Sequence, residues 1–342
     1  MKFAVGYQLA EENQESFVDV VRDYARDIGE VYFPWVNAAS GRAMLGTRNG
    51  YVDWTAQERL ETDLKEFRTM GMKLDLLFNA NCYGQRAISR HLQAEVASVL
   101  EHLQDVVGGA DVVTTTSPAI AHTVQQYFPE VEVRASVNMR IGTVEAMGYV
   151  ADLFDSFYLQ RDYQRDIQYV RELKGWCEEH GKDLLILANS GCLRLCPGQT
   201  FHDNMVAHDA GIDEMKKVDD FLPHVCWRQY RDRSNWPSIL QATWIRPEDL
   251  HHYAGVINTV KLATRMHDRP RAVLDAYTAR QWQGNLLNLF EPSFSTAFAP
   301  YFIDNGRFPD DWFAHTSTCD RRCHRCDYCD HVLEDVLVRQ DV

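Results

Sequence analysis

The sequence lacks any long apolar run. None of its hydrophobic stretches approaches the roughly 18–20 residues of a membrane span, which argues against membrane insertion. The N-terminal apolar stretch is too short for the core of a secretory signal and turns acidic at Glu11 and Glu12, so it reads as a first β-strand. Without an export signal the chain is expected in the cytoplasm, where thiols stay reduced. Net positive charge is missing as well. The formal charge is −14, which opposes sequence-independent binding to phosphate backbones, so nucleic acid is not an expected partner. Three enzyme signatures are absent: a His-Glu-x-x-His helix, a Gly-x-Ser-x-Gly elbow and a Gly-rich phosphate loop following a strand. There is no internal repeat and no low-complexity tract.

What the chain does have is clustered thiol. Seven of its nine cysteines fall into two groups. Cys192 and Cys196 lie in one loop and are joined later by Cys226, while Cys319, Cys323, Cys326 and Cys329 crowd a short segment near the C-terminus. Thiolates are soft ligands, and short spacings let one loop wrap a metal or cluster. In a reducing compartment such groups indicate metal binding or catalysis rather than disulfides. Cys177, after Trp176 in a predicted helix, reads as core packing.

Short apolar, β-branched runs alternate with helical segments. Strands are predicted at 2–7, 30–35, 73–78, 111–115, 131–137, 156–160, 183–188 and 256–262, with helices at 14–27, 55–71, 85–107 and 166–181. A loop with Gly41, Gly46 and Gly50 follows the second strand, and 189–248 reads as irregular. Eight strands in this order predict an α/β fold of the (β/α)8 TIM-barrel type over residues 1–268, followed by a helical, cysteine-rich C-terminal extension over 269–342. A doubly wound open sheet is the alternative. In a barrel the chemistry sits at the C-terminal strand ends. Here those ends carry Gln8, Asn37, Asn79, Asn81, Cys82, Ser136, Asn138, Arg161, Asp162, Asn189, Ser190, Lys261 and Arg265, and Cys192 and Cys196 follow the seventh strand directly.

Three thiolates with the spacing of Cys192, Cys196 and Cys226 suit an iron–sulfur cluster or a zinc ion, with one position left to fill. An open position would allow substrate chemistry. His202 and His208 are candidate proton donors. Lys261 and Arg265, placed at the mouth of the eighth strand, would suit a carboxylate-bearing substrate.

Part of this region resembles the collagenase-like peptidase family U32. Ser190-Gly191-Cys192 resembles its Ser-Gly-x-Cys element. Cys226-Trp227-Arg228-Gln229-Tyr230 resembles its Cys-Arg-Trp-x-Tyr element with Trp and Arg exchanged. Ile245-Arg246-Pro247-Glu248-Asp249-Leu250 and the stretch Gly255-Val256 through Lys261 to Arg265 resemble its Ser-x-Asp-Leu-Cys segment and its Gly-Val-x-x-x-Lys-Ile-Glu-Gly-Arg strand. The agreement covers about residues 183–280. The resemblance implies a barrel with a four-cysteine [4Fe–4S] cluster and a kinship with oxygen-independent hydroxylases that modify RNA bases or a quinone precursor, with prephenate a suggested oxygen source. The chain departs from the pattern. The Glu-x-Phe-x-His-Gly approach is replaced by Leu184 to Asn189, Cys196 is additional, and Ala263 replaces an acid. His251 stands where the family has a cysteine, which makes it a candidate fourth ligand.

Cys319-x3-Cys323-x2-Cys326 also matches the three-cysteine signature of radical S-adenosylmethionine enzymes, but that motif belongs after a first barrel strand, and here Cys329 follows at once. A closed four-thiolate site fits better, either a second [4Fe–4S] cluster or structural zinc. The expected function is an iron–sulfur enzyme of redox or oxygen-independent hydroxylation type, acting on a small-molecule or peptide-like substrate and served by an electron-donor protein. The alternatives are a U32-type peptidase and a non-catalytic, metal-bound accessory protein.

Overall fold

Eight short runs rich in Val, Leu, Ile and Phe pair side by side in chain order until the last meets the first. The structure, a computed structural model, describes residues 1–10, 14–36, 38–42, 45 and 53–340. Asn37, Gly46 and Gly50 lie outside the described residues. The strands are β1 (Lys2–Gly6), β2 (Ile28–Pro34), β3 (Lys73–Phe78), β4 (Val112–Thr115), β5 (Glu132–Ala135), β6 (Ser156–Tyr158), β7 (Asp183–Leu187) and β8 (Thr259–Leu262). Every neighbouring pair is parallel and β8 pairs β1, so the sheet is a closed (β/α)8 barrel.

Helices cover its outside. They are α1 (Phe17–Asp23), α2 (Trp54–Thr69), α3 (Arg90–Val107), α4 (Pro118–Tyr127), α5 (Val144–Gly148) and α6 (Ile167–Glu179). The third shows the local logic. Ser89 caps it by accepting from the Leu92 amide, and Leu92, Val96, Leu100, Leu103 and Val107 form one buried stripe. Gly108, at φ 77°, ends it in the left-handed region that a side chain disfavours. The sequence reading contains no helix at α4, although Ser117 caps it and Pro118 opens it.

The segment read as irregular is partly helical: α7 (Gln199–Ala207), α8 (Asp209–Asp213) and α9 (Val225–Tyr230), followed by 3-10 turns at Arg233–Ile239 and Pro247–Tyr253. Beyond β8 come α10 (Pro270–Ala279), α11 (Ser295–Phe298), β9 (Tyr301–Ile303), α12 (Trp312–Thr318), α13 (Tyr328–Val336) and β10 (Leu337–Arg339), with β9 and β10 pairing antiparallel. Residues 269–340 share one apolar core with the barrel, in which Leu262, Tyr277, Phe290 and Trp312 all take part. Trp244 stacks on Phe290 at 5.2 Å and on Trp312 at 5.7 Å. No helix among the described residues is long and apolar enough to cross a membrane.

The barrel interior departs from the usual layers of branched apolar side chains. Arg134 on β5 donates to Glu30 on β2 at 2.6 Å and to Glu132 at 2.8 Å, and lies 3.7 Å from Asp75 on β3. Thr114 donates to Asp75 at 2.8 Å. Lys261 on β8 stands over the rings of Tyr32 (3.7 Å) and Tyr158 (4.8 Å). Burial and the charge of Glu30 push the Asp75 carboxyl up, and burial pushes the Lys261 ammonium down.

Removing the central cation would leave these carboxylates facing one another in a closed space. Arg134→Met is expected to cost about 3–5 kcal/mol of stability, the usual loss when one partner of a buried ion pair is deleted. Urea unfolding of the two proteins checks this, and adding Glu30→Gln to the variant should recover part of the loss.

Candidate functional site

The strand ends opposite the N-terminus of β1 open into a cavity of about 560 Å3. That size suits a small molecule or a few residues of peptide. Its walls come from distant parts of the chain: Arg42 after β2, Arg161 after β6, Cys192 after β7, His202 and Asp203 on α7, Cys226 and Trp227 on α9, and Glu291 from the C-terminal stretch.

Specific contacts behind the wall and within it shape the cavity. Asn189 donates to the Ala263 and Leu289 carbonyls, both at 2.9 Å, and accepts from the Ala263 amide, which ties the end of β7 to β8 and to the stretch bearing Glu291. It is fully buried and shapes the site from behind. Gly191 follows, and its amide donates to the Glu291 carbonyl. A Cβ there would lie 2.3 Å from the Pro292 carbonyl oxygen, so only glycine lets the two backbones meet. Arg42 pairs with Glu291 at 2.7 Å, and Arg161 donates to the Ser190 hydroxyl at 2.8 Å.

These cations govern Cys192. Burial alone pushes its thiol up, but Arg161 and Arg42, with hydrogen bonds from Ser190 and Arg161, hold it below the ordinary thiol value. The other two thiols behave oppositely. Cys196 is pushed up by burial and by Cys192, and Cys226 rises to about 11 for the same two reasons. His202 is driven down to about 4 by burial, His224 and the two arginines, so it is neutral at pH 7. Burial raises Asp203 against the pull of Arg161, Arg42 and Arg140. Glu291 stays ionised because its pairing with Arg42 outweighs its burial.

Of the residues singled out in the sequence, Asn138, Arg161, Cys192, Cys226 and His202 line this cavity, and Cys196 is close enough to feel the Cys192 charge. Lys261 is inside the barrel among Tyr32, Tyr158, Asp75 and Glu30, not on the cavity wall, because its β8 position points inward beside Ala4 of β1. Arg265 is buried and donates to the Ser40 hydroxyl at 2.9 Å; it borders a neighbouring hollow. His251 is exposed on the 3-10 turn Pro247–Tyr253, bonded to the Glu248 carbonyl and packed against His252. His208 is exposed between α7 and α8. Cys82 accepts from the Gly84 amide at 3.4 Å, away from the cavity wall. Cys177 is fully buried and contacts Met147.

Sequence reasoning passed over Arg42, Asp203, His224, His267 and Glu291. Arg42 follows a loop glycine and had a weak local signal. Glu291 had none, since its role rests on a contact with a loop 249 positions away.

The donor set at the cavity suits a thiophilic metal or cluster by chemistry: three thiols, of which Cys196 and Cys226 both sense the Cys192 charge. Among the described residues no three His, Cys, Asp or Glu side chains stand close enough to hold one ion as placed.

No family model matches this chain. The chain is similar to a Methanocaldococcus jannaschii protein named "Uncharacterized protease MJ1657", at 24% identity over 283 residues covering 82% of each chain. Among solved structures it is similar to the U32 peptidase Mk0906, with a TM-score of 0.53 and 15% identity over 77% of this chain and 92% of the other, a likeness of fold.

Proposed function

We propose that the protein is an enzyme of the U32 peptidase type that cleaves a peptide-like substrate in the cavity at the barrel mouth. The observation that carries this reading is the charge pattern around Cys192. One thiol out of three is favoured as thiolate, by two guanidiniums, and it shares a cavity with a neutral imidazole. A thiolate is a competent nucleophile toward an amide carbonyl, and the same cations would stabilise the negative charge that develops on the carbonyl oxygen. Attack would break the amide bond and leave a thioester on Cys192, with the departing amine taking its proton from a water in the cavity; His202, unprotonated at neutral pH, would then accept a proton from the water that hydrolyses the thioester and frees the Cys192 thiolate. The protease and peptidase names of the two similar proteins favour hydrolysis over the oxygen-independent hydroxylation expected from the sequence.

The convergence of Cys192, Cys196 and Cys226 supports a second reading, in which the trio holds an iron–sulfur cluster. Such a cluster would supply redox or Lewis-acid chemistry. The chain's own contribution would be the three thiolates, with Arg42 and Arg161 offsetting their charge and His202 or Asp203 available on the same wall.

The two readings separate in one preparation. Protein purified without oxygen is analysed for iron and acid-labile sulfide, then assayed for hydrolysis of a peptide library by mass spectrometry. The peptidase reading expects cleavage by metal-free protein, and Cys192→Ser should lower kcat by at least about 100-fold. Cleavage unaffected by that change, or none at all, would sink it. Iron and sulfide bound by wild-type protein and lost in Cys226→Ser would establish the second reading.

A further expectation concerns pH. Arg161→Met removes a cation that stabilises the Cys192 thiolate, so the midpoint for alkylation of Cys192 should move upward by about 1 unit. An unchanged midpoint would show that Arg161 does not set its reactivity.

A further inference from the structure

The four C-terminal cysteines surround a space of their own. All nine cysteines are free thiols. Cys319 ends α12, Cys323 and Cys326 bracket a 3-10 turn, and Cys329 lies in the first turn of α13. All four line one small hollow of about 30 Å3. Cys192 and Cys226 line the barrel-mouth cavity instead. The two thiol groups therefore line separate hollows.

A second observation points to negative charge at this place. Arg165 lies flat on Trp244 at 4.1 Å, with Nε and Nη1 donating to the Trp244 and Leu240 carbonyls, while its Nη2 is buried without a hydrogen-bond partner. Arg321 pairs with Asp166 at 3.2 Å through Nη1, and its Nη2 is likewise buried and unpartnered. Both side chains border the adjoining hollow together with Cys319, Cys323 and Cys329. Leaving buried donors unsatisfied is costly, and more so for charged groups. Four thiolates around a divalent ion or a cluster carry net negative charge and would take both donors.

We propose that Cys319, Cys323, Cys326 and Cys329 bind a thiophilic metal centre, one zinc ion or one iron–sulfur cluster, that staples the C-terminal segment to the loop carrying Cys192 and Cys196. The link to that loop is Arg194, whose Nη2 donates to the Arg321 carbonyl at 3.0 Å and lies 3.9 Å from the Cys323 sulfur. Seating the metal needs the thiols drawn together. Cys326 is exposed, so its side chain can change rotamer without displacing a packed neighbour. The centre is independent of whether the barrel-mouth cavity holds a cluster or acts through Cys192 alone.

The test uses the full chain. Protein stripped with chelator is titrated with Co2+, whose thiolate complexes absorb in the near ultraviolet, and in parallel is reconstituted with ferrous iron and sulfide. One of the two probes should load a centre that is lost in Cys326→Ser and retained in Cys192→Ser. Cobalt binding identifies a single-ion site, and iron with sulfide identifies a cluster. A wild-type chain that takes up neither probe, or a Cys326→Ser chain that loads to the wild-type stoichiometry, overturns the proposal. A readout on unmodified protein guards against a variant that fails to fold. Alkylation of Cys326, followed by mass spectrometry, should be at least about tenfold slower in the loaded than in the stripped chain. Equal rates in the two states would likewise overturn it.

Discussion

The closed barrel depends on a cation at its centre. Arg134 reaches Glu30, Glu132 and Asp75 from β5, and Lys261 adds a second positive charge from β8. Charges removed from water add little net stability even when well paired. Their effect here is on register. A one-residue slip of β5 would turn Arg134 to the outer face and leave Glu30 and Asp75 facing each other unmatched. The network therefore permits one alignment of β2, β3, β5 and β8, and the alignment of strand ends at the mouth follows from it.

From that alignment comes the cavity. Asn189 stands at the end of β7 and spends its amide on β8 and on the Leu289 carbonyl. This brings the Glu291 stretch against Gly191, and Glu291 in turn fixes Arg42 beside Cys192. The chain of contacts runs from backbone closure to electrostatics at one sulfur. The steps are polar and buried or partly buried, so each would be costly to leave incomplete.

How much of this could be read from the sequence follows the range of the interactions. The eight strands were legible because each is a short, largely apolar run with its own local pattern. The helix α3 was legible from its stripe and from the glycines behind it, whereas α4 was missed despite the Ser117–Pro118 start. The stretch read as irregular conceals α7 and α9, whose few turns bury little apolar surface of their own. The thiols were visible as spacing, yet the groups that tune them were not. Arg42, Asp203 and Glu291 are ordinary charged residues until the fold places them in one cavity. Lys261 shows the converse. Its place near a strand end suggested substrate binding, but the pleat aims it into the barrel, where Tyr32 and Tyr158 enclose it.

The two thiol groups meet the same physical problem in different ways. At the barrel mouth, Arg161 and Arg42 hold the Cys192 thiol below its ordinary value, while burial and the neighbouring Cys192 push Cys196 and Cys226 up. A hydrolase needs no more than that single activated sulfur. Deprotonating the other two requires further positive charge, which a bound metal would bring. At the C-terminal segment, burial and three like neighbours oppose ionisation of Cys329 against the pull of Arg165. A nucleophile is poorly served by such surroundings, whereas a metal that binds all four sulfurs at once removes the repulsion among them. The asymmetry of the first group thus suits attack on a substrate, and the mutual repulsion within the second suits a bound metal, with Arg194 joining the two through the loop that carries Cys192.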